Sequence, residues 1–181
     1  MKNFLVIAAG LAGLALSATS ASALTLGLDT GWQSFSFAAV GSTWSDDFTF
    51  TIAGPAYFAV TDAYCAGDQF SFSINGSFVG NTSTPFYDGS CIDGSTRTTD
   101  PTFAYNSALW SSGEILLAAG VYTVTGTAIA SPFGSGGAFA QLSSTDLGGS
   151  TIQPSTVPLP AGGLVLLGAL GGLAALRRRK A

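Results

Sequence analysis

The groups in this chain that could take part in chemistry are almost all carboxylates. Nine aspartates and one glutamate, Glu114, lie between residues 24 and 157, a stretch in which the one cation is Arg97. The chain has no histidine, and its lysines are Lys2 and Lys180. Serine or cysteine nucleophiles with an imidazole base, zinc hydrolysis through histidine and lysine Schiff bases each lack a required residue. The composition permits glycoside hydrolysis by two carboxylates, Glu114 with one of the aspartates. Glu114 follows Ser111-Ser112-Gly113 and reads as a solvated turn residue, so the chain is expected to be non-catalytic.

Two binding chemistries remain. Asp46 and Asp47, with Asp29, Asp62 or Asp68 in neighbouring loops, are hard oxygen donors of the kind Ca²⁺ takes. No EF-hand or nonapeptide calcium repeat organises them, so they read first as surface charge for solubility, with no metal site and no cofactor expected beyond that Ca²⁺ alternative. Trp32, Trp44 and Trp110, with Tyr57, Tyr64, Tyr87 and Tyr105, offer rings that could stack on sugars, although at strand positions such rings more often pack in a core or at its rim. A secreted carbohydrate-binding module is thus the alternative function. The acidic balance repels nucleic acid, so no nucleic-acid partner is expected. Ser131–Gly137 is glycine-rich but carries no lysine and opens no helix, so a phosphate loop is unsupported.

Those side chains must be positioned by strands. Phe35 and Phe37, then Phe48, Phe50 and Ile52, then Phe70, Phe72 and Ile74 alternate with small or polar residues, which puts one face of each strand in a core and the other in water. Further strands are expected at 24–28, 56–61, 77–81, 115–119, 121–129 and 137–142, spaced by Gly, Asn, Asp and Pro. This pattern predicts an all-β fold, an antiparallel β-sandwich or jelly-roll-like domain over residues 24–142, with no helix inside it. Asn75-Gly76 predicts a type I′ hairpin turn, and Gly120 a weaker turn of the same sort. The run from Ser143 to Thr156 holds too little apolar content for a core and reads as a flexible linker.

The two ends carry different signals. Lys2, an apolar run from Phe4 to Leu16 and the Ala21-Ser22-Ala23 ending have the three parts of a secretory signal peptide, residues 1–23, with the mature chain starting at Leu24. Outside the cytoplasm, the only two cysteines, Cys65 and Cys91, are most simply a disulfide. It would close a loop of about 27 residues and restrict the unfolded chain by ~3.5 kcal/mol. At the other end, Val157-Pro158-Leu159-Pro160-Ala161 leads into an uncharged span that continues to Leu176, followed by Arg177-Arg178-Arg179-Lys180. From Val157 to Leu176, a helix would be ~30 Å long, about the hydrocarbon thickness of a bilayer. The expected membrane helix occupies about 161–176, with the cations on the cytoplasmic side.

This order of a proline motif, a brief apolar span and an arginine cluster resembles the PEP-CTERM sorting signal of Gram-negative bacteria, in its VPLPA variant. Leu159 stands where the founding motif has a glutamate. The resemblance covers roughly a seventh of the chain and none of its body. It implies a partner, an exosortase-type processing enzyme, and a path from inner-membrane anchoring to the cell surface or extracellular matrix. It also implies an association with exopolysaccharide and biofilm. The plain alternative for the tail is a permanent membrane anchor.

Overall fold

A computed structural model describes residues 22–152. Ala21 and the signal segment before it, the Val157–Ala161 motif, the apolar span and the basic tail lie outside the described residues. Among the described residues, no helix is long and apolar enough to cross a membrane.

The first strands are β1 (Ser22–Thr25), β2 (Gln33–Phe37), β3 (Asp46–Ile52), β4 (Ala56–Asp62), β5 (Tyr64–Cys65), β6 (Gln69–Ile74), β7 (Ser77–Asn81) and β8 (Arg97–Thr98). A short helix, α1 (Pro101–Tyr105), precedes β9 (Ser112–Leu117), β10 (Gly120–Ala130) and β11 (Gly136–Ser143). One sheet runs β1-β3-β10-β6-β7 and faces a second that runs β2-β11-β4-β9, while β5 and β8 form a small ribbon at one end. The arrangement is sandwich-like, as the strand pattern predicts.

The period-two alternation places the core. Phe48, Phe50 and Ile52 of β3 and Phe70 and Phe72 of β6 point inward, against Phe35 and Phe37 of β2 and Phe58 and Val60 of β4. Phe58 touches rings from the opposite sheet on three sides, with centroids 6.3 Å from Phe48, 5.8 Å from Phe50 and 6.0 Å from Phe72. Full burial of such a ring stabilises the fold by roughly 1.5–3 kcal/mol.

The Asn75-Gly76 turn forms as predicted. Both residues take positive φ, 50° and 76°, and join β6 to β7. The Asn75 side chain then ties the turn to β10, accepting from Thr123 N at 2.9 Å and donating to Val121 O at 3.3 Å.

Four expectations are corrected. The strands are not all antiparallel, because β1 runs parallel to β3: the chain crosses to the other sheet for β2 and re-enters the first in the same direction. Gly120 does not close a hairpin, because β9 pairs with β4 and β10 with β3 and β6, so this junction carries the chain from one sheet to the other. A helix does occur inside the domain. Asp100 caps it, its Oδ1 accepting from Thr102 N at 2.9 Å and Phe103 N at 3.1 Å, and Pro101 opens its first turn.

The described part of the expected linker is not free of the body. Ser143 ends β11, and the described part of the segment docks along β9. Glu114 N donates to Ser150 O at 2.9 Å and Ile152 N to Glu114 O at 2.7 Å, as in an added parallel strand. Ile152 is buried in the main core, where it lies over Gly113, at which a Cβ would stand 2.3 Å from its Cδ1. A branched apolar residue beside a side-chain-free strand position thus helps to hold a segment whose composition reads as a spacer.

Candidate functional site

The most unusual chemistry lies where β4 leaves its sheet. Asp62, the last residue of β4, is fully buried, and Asp68, six residues on, is 5 % exposed. Asp62 Oδ2 accepts from Gly67 N at 3.2 Å and Asp68 N at 3.1 Å, so the carboxylate closes the loop that leads into β6. Hydroxyls line the surrounding layer. Thr61 Oγ1 donates to Asp62 O at 2.8 Å, Ser111 Oγ to Asp68 O at 2.6 Å, and Thr82 Oγ1 to Ser111 Oγ at 3.2 Å.

Two of the carboxylate oxygens are left out of this network. Among the described residues, three buried side-chain polar atoms have no hydrogen-bond partner: Asp62 Oδ1, Asp68 Oδ1 and Trp44 Nε1. Burial pushes the Asp62 carboxyl well above the usual carboxylate range, and the neighbouring charge of Asp68 adds to this, against the N–H groups of Asp68, Gly67 and Ala63. Burial also pushes Asp68 up, to about 6, with the Ser131 hydroxyl acting in the opposite sense.

Close packing encloses the pair. Gly67 has φ +135°, and a Cβ there would lie 2.6 Å from Pro132 Cγ and 3.2 Å from Tyr87 Cδ2. At Gly136 a Cβ would lie 2.7 Å from Asp68 Oδ2 and 2.6 Å from the Phe37 ring. Both positions need glycine for the backbone to approach. A cleft of about 390 Å³ opens beside the loop, lined by Gly67, Gln69, Thr84, Pro85, Tyr87, Ala130, Ser131 and Pro132. Tyr87 and Phe133 meet edge to face at 5.7 Å, both about half exposed.

The Cys65–Cys91 disulfide forms, with Cα atoms 5.1 Å apart. It ties β5 to the 83–98 strap, which also pairs through β8 and carries an Arg97–Asp93 ion pair. The loop it closes holds the β6–β7 hairpin as well as the polar stretch around Pro85.

The other predicted residues do not converge. Trp44 lies in the main core, over Gly126, and Trp110 in a second cluster with Ala63, Ala66 and Ala104, its Nε1 donating to Tyr64 O at 3.2 Å. Neither offers a face to a sugar. Trp32 is half-buried, its Nε1 3.2 Å from Thr102 Oγ1 and its ring 5.3 Å from that of Tyr105. Among the described residues, no group of three or more His, Cys, Asp or Glu is set to hold a metal. Asp46 Oδ2 accepts from Ser45, and Asp29 Oδ1 from Ser144 N at 2.8 Å, a bond that lowers the Asp29 carboxyl. Asp62 and Asp68 alone come together from the predicted acidic set.

Glu114 is the clearest departure from the sequence reading. It sits within β9, 3 % exposed, not in a solvated turn. Its Oε2 accepts from the Tyr105 hydroxyl at 2.7 Å and from Leu147 N at 3.1 Å. Burial raises its carboxyl, and the two donors oppose that rise. The alternation that could have flagged it is hidden, because β9 is buried on both faces at this point.

No protein-family model and no curated protein matches the chain. Among solved structures, it is similar to the pre-peptidase C-terminal domain of a collagenase from Bacillus anthracis. The likeness covers 69 % of this chain and 96 % of that one, with 11 % identity and a TM-score of 0.37.

Proposed function

We propose that this chain is an exported, non-catalytic component of a Gram-negative cell surface or extracellular matrix, anchored at first through its C-terminus and then handled by an exosortase-type enzyme. The observation that carries the reading is the order of the tail, Val157-Pro158-Leu159-Pro160-Ala161, then an uncharged span to Leu176, then four cations. A signal-like N-terminus and a disulfide support export to an oxidising compartment. Cleavage before Leu24 leaves Leu24 and Thr25 to pair with Phe48 and Thr49, so β1 keeps half its register.

Intact mass of the protein recovered from producing cells and medium tests this. A species starting at Leu24 and ending near the proline motif supports sorting. A membrane-bound species extending to Ala181 refutes it and leaves a permanent anchor.

Saccharide binding is the second reading, now without the buried Trp44 and Trp110. What favours it is the exposed Tyr87–Phe133 pair at the cleft beside Asp68. Retention on the producer's own exopolysaccharide, lost in Tyr87→Ala, supports this reading, and passage without retention excludes it.

A further inference from the structure

We propose that Asp62 and Asp68 together hold a divalent cation with a preference for hard oxygen donors, Ca²⁺ in the compartment to which the protein is exported. Both carboxylates are at least nine-tenths buried, and each has one oxygen, Oδ1, that no donor reaches. A buried carboxylate is ordinarily paired or bound to metal, because its desolvation is otherwise uncompensated. No protein cation serves here: Arg97, the one cation among residues 22–152, is paired with Asp93 on the disulfide strap.

The donor set selects the ion. Without histidine, and with both cysteines in a disulfide, nitrogen and sulfur ligands are missing, which disfavours Zn²⁺ and Cu²⁺. Two carboxylates match a charge of +2. Ca²⁺ takes six to eight oxygens in a flexible geometry, so two carboxylates would be completed by carbonyl, hydroxyl and water oxygens. Mg²⁺ demands a stricter octahedron and releases its waters reluctantly, and a site with only two fixed carboxylates does not impose that geometry. Gly67 and Gln69, the chain neighbours of Asp68, line the cleft, so the pair lies next to an opening to solvent. Asp62 is held in place by the Gly67 and Asp68 N–H groups through Oδ2, so its Oδ1 is oriented before any ion arrives.

The test uses the mature protein as recovered from producing cells, treated with EGTA and titrated calorimetrically with CaCl2, with thermal unfolding followed in parallel. One ion per chain and a rise in Tm are expected, because a ligand that binds only the folded state stabilises it. Asp68→Asn keeps the shape of the side chain but removes one of the two charges, so Ca²⁺ affinity should fall at least about tenfold, in line with the dependence of such sites on ligand charge. The same variant should match or exceed the ion-free wild type in Tm, since it removes a buried charge, and this shows that it folds. Asp93→Asn, on the exposed strap, should bind Ca²⁺ as the wild type does. The proposal is overturned if the wild type binds no Ca²⁺ at millimolar concentration, in which case protons neutralise the pair. It is equally overturned if Asp68→Asn binds as well as the wild type, which would place the ion among surface carboxylates.

Discussion

The Tyr105 hydroxyl donates to Glu114 Oε2 across 2.7 Å, and that bond joins the one helix of the body to an inner position of β9. The same oxygen takes the Leu147 N–H, so a single buried carboxylate ties together helix, sheet and the segment after β11. Tyr105 also lies so close to Gly149 that a Cβ there would stand 2.0 Å from its hydroxyl oxygen.

Removing the acceptor leaves two donors facing a buried void. Glu114→Ala should therefore destabilise the body by about 2–4 kcal/mol, while Tyr105→Phe, which removes one donor and keeps the ring, should cost about 1–3 kcal/mol. Urea unfolding of both variants checks this. If Glu114→Ala unfolds like the wild type, Glu114 is not the tie the geometry makes it.

The acidic pair gives the ion-free protein a defined response to pH. Asp62 and Asp68 hold their protons more tightly when folded than the unfolded chain does, where an aspartate titrates near 3.8. As pH rises from about 4, the unfolded state releases protons first and gains stability relative to the folded one. Folded stability therefore falls as pH rises from about 4 through about 6, where Asp68 titrates, and the raised Asp62 carboxyl acts in the same direction. Glu114 acts in the same direction, and Asp29 and Asp88, which are lowered but exposed, act in the other. Thermal unfolding in EGTA between pH 4 and 8 should show Tm declining for the wild type and a flatter profile for Asp68→Asn.

Gly126 is the space that Trp44 occupies. A Cβ at that position would stand 2.1 Å from Trp44 Cε2, on an inward position of β10. Trp44 meanwhile contacts Phe35, Phe48, Phe70 and Phe72, so it has little freedom to move aside. Gly126→Ala should destabilise by about 1–3 kcal/mol through overpacking. Tryptophan emission should shift to the red as Trp44 is displaced, and an unshifted spectrum with unchanged stability would contradict this packing.

How much of this the sequence discloses depends on the kind of signal. The Phe-x-Phe-x-Ile alternation of β3 and β6 and the Asn75-Gly76 turn are local rules, and the fold obeys them. The pairing of β9 with β4 and the burial of Glu114 are set by partners far away in the chain, which local periodicity does not encode. Helix α1 is only five residues long, too short for a helical period, although its Asp100-Pro101 start is visible in hindsight. Trp44 and Trp110 are legible as aromatic but not as buried, because the glycine and alanines that make room for them lie on other elements of the fold. The Asp62–Asp68 pair shows as two acidic residues six apart. That each keeps a buried oxygen no donor reaches is a property of the assembled layers alone.

Ile152 belongs to the folded body. Its side chain is 6 % exposed within the main core, and its N–H completes the added strand on Glu114. The motif at Val157 begins only four residues beyond Gln153, and residues 153–156 fully extended span at most about 14 Å. A processing enzyme that reads the motif must therefore work close against the folded body, and any cut that preserves stability must fall beyond Ile152. Ile152→Ala should cost about 2–4 kcal/mol from the cavity it opens. Limited proteolysis of the wild type should leave a resistant fragment that retains Ile152, while Ile152→Ala should be trimmed back toward Ser143. A wild-type fragment that stops short of residue 150 with no loss of Tm would show that the docked segment contributes nothing, and would restore the long flexible spacer suggested by its composition.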